Sequence, residues 1–191
     1  SRDVQIAFAN ELSMICETEN IDTWEVIELA NRHPRVNILN PGPGVGGHCI
    51  AVDPWFIVDR SPEYSRLIRT AREVNDMKPE WVIDRIKKYA NKLKKPKIGC
   101  LGITFKADVD DLRQSPAFGI VNRLIQMDIG EISVCEPNIK SLDGINLYGL
   151  DDLLVNSDIL LLLVDHKEFS ALNSKLLDEK IIIDTRGLLK R

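Results

Sequence analysis

The chain has 191 residues, 25 Lys and Arg against 29 Asp and Glu, a formal net charge of −4 and 44% hydrophobic residues, ordinary values for one large or two small globular domains. Mild acidity without a basic block argues against nucleic-acid and membrane-surface partners, and the runs Ile159 to Val164 and Ile181 to Ile183 fall far short of the ~20 residues of a membrane span. Four scattered cysteines (Cys16, Cys49, Cys100, Cys135) without a CxxC pair read as reduced thiols of a cytoplasmic protein, with no metal site expected.

Val4, Ile6, Ala7, Leu12, Ile15 and Cys16 share a helical spacing, so the sequence opens inside a helix and is expected to be a piece of a longer chain. Asp22 reads as the N-cap of a helix from Thr23, with Glu25 as its capping-box partner. A Gly- and Pro-dense loop covers residues 32–48. Helical pattern resumes after Asp53. Pro62 sits near the start of a segment through Tyr64, Leu67, Ile68, Ala71 and Val74 that continues past Pro79 to Tyr89, and Pro79 should kink or split it. The run 92–97 is a solvated hinge dividing residues 1–95 from 96–191. Beyond it strands are expected at Lys97–Gly102, Glu131–Cys135, Ile159–Val164 and Lys180–Asp184, with helices near Pro116–Gln126, Leu150–Val155 and Lys167–Ala171. Buried runs separated by helices imply a parallel sheet covered on both faces. The fold class is α/β, a helical half followed by a small Rossmann-like half.

Gly42-Pro43-Gly44-Val45-Gly46-Gly47 formally satisfies the dinucleotide pattern G-x-G-x-x-G. Its setting fits poorly: Pro43 interrupts it, His48 and Cys49 follow at once, and the preceding segment Val36-Asn37-Ile38-Leu39 is short for a buried strand. The alternative is a wall poor in side chains, whose backbone approaches a polar ligand closely. Cys49 ends this loop, and Asp53 would share its helical face at i, i+4. A thiol there can be a nucleophile if its surroundings favour the thiolate, whereas Cys16, Cys100 and Cys135 read as small buried hydrophobes. The stretch 102–116 follows the first strand of the second half, at the carboxyl end of the sheet where ligands of doubly wound folds bind. In it, Lys106 and Arg113 supply positive charge, and Ser115-Pro116 resembles an N-cap with Pro at the first helical position, leaving free N–H groups for an anion. The opposing reading is a charged surface loop with Asp108, Asp110 and Asp111 offsetting the cations. Arg186 ends the last strand on the same rim, and could instead cap the sheet or pair with Asp184. His33 and Arg35 flank Pro34 upstream of the glycine loop and suit a phosphorylated or carboxylated ligand. His166 has no visible partner and is expected to be solvated.

Together these segments resemble the UDP-glucose/GDP-mannose dehydrogenase family. The family signature of a Gly-rich loop ending Gly-Gly-x-Cys, four residues before Asp, matches Gly46-Gly47-His48-Cys49 and Asp53; its Phe-Lys and Asp-x-Arg-x-Ser-Pro motifs match Phe105-Lys106 and residues 111–116. The stretches 31–37 and 41–49 are most similar to the branch acting on UDP-N-acetyl-D-mannosamine. The resemblance implies a central helical homodimerisation domain followed by a UDP-sugar-binding domain, with the NAD-binding domain and a catalytic Lys and Asn lying before Ser1. It further implies a two-step oxidation of the sugar C6 alcohol to a carboxylate with NAD. Cys49 would form the thiohemiacetal and thioester, and Asp53 would help the hydrolytic water. His33, Arg35, Gly44, Gly46, Gly47, Phe105, Lys106 and Arg186 would contact the UDP-sugar, and Arg113 the NAD phosphates. His48 and Val52 stand where the UDP-glucose enzymes carry Ser and Lys, which leaves other UDP-hexoses and UDP-N-acetyl-hexosamines as competing substrates. A non-catalytic dimerisation and nucleotide-sugar-binding module is the alternative for the isolated chain.

Overall fold

The first helix, α1, runs over Arg2–Thr18, and its buried residues Asp3, Ala7, Asn10 and Met14 recur at steps of four and three along one face. That face lies on a much longer helix, α4 (Arg66–Ala90), which answers with Ala71, Arg72, Asn75, Lys78 and Val82. Between them come α2 (Thr23–Asn31) and α3 (Asp53–Arg60). Asp22 caps α2 as the sequence indicates, its carboxylate accepting from the N–H groups of Trp24 and Glu25 at 2.8 and 3.1 Å. The structure, a computed structural model, describes residues 1–172 and 174–189.

Pro62 lies in the turn between α3 and α4, just before α4 begins, near the start of the segment as expected. One expectation for the helical half is corrected. Pro79 does not split α4, which is helical on both sides of it. Proline removes one N–H and crowds the preceding turn, a cost of ~3 kcal/mol in a free helix. Here the two halves of α4 are held by different partners. The amino-terminal half is tied to α1 by buried polar side chains, and the carboxyl-terminal half buries Val82, Ile83, Ile86 and Ala90 in the core of the sheet.

The sheet has four strands, β1 (Lys97–Leu101), β2 (Glu131–Cys135), β3 (Ile159–Leu162) and β4 (Ile181–Asp184), all parallel and in the order β2-β1-β3-β4. Its helices are α5 (Pro116–Gln126) and α6 (Leu150–Asn156), with a 3-10 turn at Lys167–Ala171 and a short α7 at Ser174–Leu177. Alternation of side chains sorts the strands onto two cores. Ile98, Cys100, Ile159 and Leu161 face α5 and the end of α4; Leu101, Leu160 and Leu162 face Leu153 and Leu154 of α6 and Phe169. Chain order reverses direction between β1 and β3, the switch point at which doubly wound sheets open a crevice. Among the described residues, no helix is long and apolar enough to cross a membrane.

Candidate active site

A cavity of about 600 Å³ opens at this switch point. The turns after β1 and β3 supply Thr104, Phe105, Lys106, Val164 and Asp165; the helical half supplies Gly42 to Gly46, Ile50, Arg2 and Ile6; Arg186 and the start of α5 complete it. The volume is in the range of a small-molecule site.

The glycines are where the two halves meet. A Cβ on Gly46 would stand 2.8 Å from both the Gln114 carbonyl oxygen and Phe105 Cβ, and one on Gly44 would stand 2.9 Å from Pro116 Cβ. Gly44 and Gly47 have φ of +145° and +80°, the left-handed side of backbone space that favours glycine. The loop therefore lies flush against the 105–116 stretch. It neither follows a strand nor opens a helix as a dinucleotide fingerprint would, since turns occupy residues 47–52 before α3 begins.

Cys49 lies at the rim, exposed, between the cavity-lining residues Gly46 and Ile50. Its carbonyl accepts from the N–H of Asp53 at 2.9 Å, but residues 48–52 are turns and not the helix that would put the two side chains on one face. Asp53 is exposed in the first turn of α3. Burial pushes the thiols of Cys100 and Cys135 up to about 12 and about 11, the behaviour of inert core cysteines.

Arg186 reaches across the cavity. Its guanidinium donates to both oxygens of Asp165 (2.8 and 3.3 Å) and to the Pro41 carbonyl (3.1 Å), while its backbone N–H donates to Asp184. One side chain thus fastens the sheet to the start of the glycine loop. The Lys106 ammonium sits 5.5 Å from the centroid of the Phe105 ring. Ser115 caps α5 by accepting from Phe118 N–H at 3.2 Å and donates to the Ile103 carbonyl at 2.7 Å, so α5 begins on the cavity as expected. Arg2, Lys106 and Arg186 against Asp165 leave the lining with excess positive charge, which with the α5 N-terminus suits a diphosphate.

Gly47, Cys49 and Asp53 flank the lining residues Gly46 and Ile50 without being part of the lining, and three further sequence candidates lie away from the cavity. Asn31 exchanges hydrogen bonds with both main-chain groups of Ile38 (2.9 and 2.7 Å), which turns the intervening His33 and Arg35 out to solvent. His33 Nδ1 accepts the local N–H of Arg35, at 3.2 Å. Arg113 is 73% exposed on the outer rim, its fork closed on Asp111 at 2.7 to 3.1 Å. That fork holds the Asp111 carboxyl down at about 2, with a smaller contribution from the nearby His48.

His166 is corrected outright: it is fully buried, not solvated. Its Nδ1 accepts from Asp108 N–H at 3.0 Å, so the proton resides on Nε2, which faces Glu136 Oε2 at 3.1 Å. Glu136, also buried, accepts from the N–H groups of Ile103, Thr104 and Asn138. Desolvation would raise its carboxyl, but the bonds from His166, Ile103 and Asn138 outweigh it and leave the group below its ordinary range. Thr104 Oγ1 in turn donates to the Lys106 carbonyl at 2.9 Å. This pair, which anchors the Lys106 turn, had no signal in the sequence, because Glu136 and His166 meet only through the order of the strands. The ligand atoms of Asp108, His166 and Glu168 also come within 4.8 Å of one another. With both His166 ring nitrogens already engaged, the cluster reads as a hydrogen-bonded support. Arg2 was also missed; its spacing of four from Ile6 was the available signal.

Residues 1–77 match the central domain of the UDP-glucose/GDP-mannose dehydrogenase family and residues 99–191 match its UDP binding domain. The chain is 58% identical, over 98% of its length, to 45% of an NDP-N-acetyl-D-galactosaminuronic acid dehydrogenase of Ralstonia solanacearum. It is 53% identical, again over 98% of its length, to 48% of a UDP-N-acetyl-D-mannosamine dehydrogenase of Salmonella typhi. Among solved structures, the UDP-N-acetyl-mannosamine dehydrogenase of S. aureus superposes on the whole chain with a TM-score of 0.87 and 44% identity, over 46% of its own length. The chain thus spans about half the length of these relatives. With both domain matches in chain order and the glycine loop meeting the sheet's switch point, the chain belongs to the UDP-glucose/GDP-mannose dehydrogenase family.

Proposed function

We propose that residues 1–191 form the central and UDP-sugar-binding domains, divided at 95/96, of an NAD-dependent UDP-N-acetyl-D-mannosamine 6-dehydrogenase. The observation that carries this reading is the switch-point cavity, where the Cys49 loop of one half closes on the cationic turns of the other. Lys106, Arg186 and the α5 N-terminus bind the diphosphate, and the glycine loop offers main chain to the sugar. Cys49 adds to the C6 aldehyde: the S–C bond forms and the thiol proton passes to the carbonyl oxygen, giving a thiohemiacetal. Loss of a hydride and a proton leaves the thioester, and water then releases the carboxylate and restores the thiol, with Asp53 orienting or deprotonating that water. The covalent tether keeps the aldehyde from escaping between oxidations. The oxidation of the C6 alcohol to the aldehyde and that of the thiohemiacetal to the thioester would each give up one hydride, and two NAD in succession would take them. Among the described residues, no strand-loop-helix glycine turn fits a dinucleotide; Arg113 alone offers a guanidinium on the outer rim for its phosphates. His33 and Arg35, turned to solvent, reach substrate only if another part of a homodimer comes to them.

Two observations favour neighbouring readings. The somewhat higher identity to the galactosaminuronic acid enzyme supports another UDP-N-acetyl-hexosamine as substrate. The missing dinucleotide turn supports a binding and dimerisation module as the role of the chain alone. Calorimetric titration with a panel of UDP-sugars, beside an assay for NADH formation, separates them. The chain is expected to bind a UDP-sugar without producing NADH. No binding to any UDP-sugar would overturn the site, and turnover by the chain alone would overturn the need for a separate nicotinamide site.

A further inference from the structure

The interface between α1 and α4 is unusually polar for a buried helix contact. Asp3, Asn10, Arg72 and Asn75 are each at most 5% exposed, where apolar side chains would pack without any hydrogen-bonding demand. They form one connected chain. Arg72 Nη1 donates to Asp3 Oδ1 at 2.6 Å, Asn75 Nδ2 donates to the same oxygen at 2.8 Å, and Asn10 Nδ2 donates to Asn75 Oδ1 at 2.9 Å. Arg72 also pairs with Asp76. The chain ends on two main-chain atoms outside the helices. Asn10 Oδ1 accepts the N–H of Gly42 at 2.9 Å, and Arg72 Nη1 reaches the carbonyl of Ile50 at 3.4 Å.

Those two atoms bracket the loop that carries Cys49. Its opposite side is pressed against Phe105, Gln114 and Pro116, but these contacts are made by side-chain-free glycines, which hold by shape and not by direction. We propose that the Asp3–Arg72–Asn75–Asn10 chain is a two-point clamp that sets the position of the Cys49 loop, with Asn10 and Arg72 as its positioning residues. The inference rests on the reading of Cys49 as nucleophile for its purpose, but the clamp can be observed without any substrate. Neither residue touches the reacting atoms; both act through the main chain at Gly42 and Ile50. The arrangement also accounts for a buried arginine in a helix interface, since the carboxylates of both Asp3 and Asp76 meet its guanidinium.

Amide hydrogen exchange and thiol labelling on the 191-residue chain test this. In the unaltered chain the Gly42 amide, though in a loop, should exchange about 100-fold slower than an open amide, because its N–H is held by a buried acceptor. Asn10→Leu should raise exchange across residues 42–50 by about 10-fold, the effect of one lost buried hydrogen bond, and change the DTNB labelling rate of Cys49, the exposed cysteine. Exchange in β1 and α5 should stay unchanged. Asn10→Asp keeps the acceptor for Gly42 but loses the Nδ2 donor to Asn75 Oδ1, so it should slow exchange at Gly42 relative to Asn10→Leu without restoring residues 44–50 in full, a split that a purely space-filling role does not produce. An open Gly42 amide in the unaltered chain overturns the clamp, and decides the matter even if Asn10→Leu fails to fold. So does a rise in exchange spread evenly over the sheet, or a Gly42 amide that exchanges no slower in Asn10→Asp than in Asn10→Leu. Failure of UDP-sugar binding touches the functional reading alone.

Discussion

Lys78 gives a stability prediction that can be worked from the structure. The residue is 5% exposed between α1 and α4, its ammonium donating to Ser13 Oγ at 2.5 Å and to the Asn10 carbonyl at a long 3.4 Å. Desolvation is the largest influence, with Arg85 adding to it and Glu17 opposing it, and together they bring the group from 10.5 down to about 8. The lowered value has a definite sign. Between pH 8 and 10.5 the unfolded chain holds a proton on this lysine that the folded chain does not, so stability rises with pH across that window. At ~1.4 kcal/mol per pH unit, the gain from pH 7 to pH 10 is about 2 kcal/mol. Lys78→Met keeps the length of the stem and removes the charge. The Ser13 hydroxyl still donates to the Asn10 carbonyl at 2.6 Å, so little polar cost is left behind. The variant should be more stable than the natural chain at pH 7 by about 1–2 kcal/mol, with most of that advantage gone at pH 10. Urea denaturation of both proteins at pH 7, 8, 9 and 10, compared as a difference at one protein concentration, cancels the other titrating groups. A difference that does not change over this range would refute the reasoning, as would a Lys78→Met chain less stable than the natural one at pH 7.

Glu136→Gln should cost about 2–3 kcal/mol in urea denaturation near neutral pH, because the carboxylate accepts from three main-chain N–H groups and faces His166. Since the folded carboxyl lies below its ordinary 4.5, its contribution is present above that value and fades as pH falls through the lower folded one, so the variant should show a shallower acid limb. Gly46→Ala would press a methyl group onto the Gln114 carbonyl oxygen and Phe105; a loss of about 1–3 kcal/mol and weaker UDP binding by calorimetry are expected. Arg186→Lys cannot span Asp165 and the Pro41 carbonyl together, and should raise hydrogen exchange at the Gly42 and Gly44 amides by about 5-fold while leaving β1 unchanged. Cys49→Ala should leave thermal stability within about 1 °C, as expected for an exposed position, and abolish DTNB labelling of the folded chain.

Much of the second half was legible before the structure. The spans Glu131–Cys135, Pro116–Gln126 and Lys167–Ala171 coincide with β2, α5 and the 3-10 turn, and the other strands end within two residues of expectation. Short buried runs punctuated by a Ser-Pro start leave few alternatives. The helical half was read less well at its prolines, because local propensity penalises Pro79 whatever packs on either side of it. For the site, Gly44, Gly46, Phe105, Lys106 and Arg186 do meet at one cavity, and Cys49 is exposed next to its lining residue Ile50. His33, Arg35 and Arg113 carry the same charge chemistry yet face outward, since charge in a sequence has no direction until the main chain bends. The missed His166–Glu136 pair and the Asp3–Arg72–Asn75–Asn10 chain join residues as far as 72 positions apart.

By itself, then, the sequence determined the elements, the parallel class of the sheet and the family, through motifs whose residues are neighbours along the chain. Only the tertiary structure decided which charged side chains line the cavity, why the glycines are small on the side facing Phe105 and Pro116, and which polar residues are buried to hold the Cys49 loop. Those outcomes depend on strand order and on the α1–α4 crossing. Desolvation and hydrogen bonding are set by neighbours in space, and a sequence lists neighbours along one dimension only.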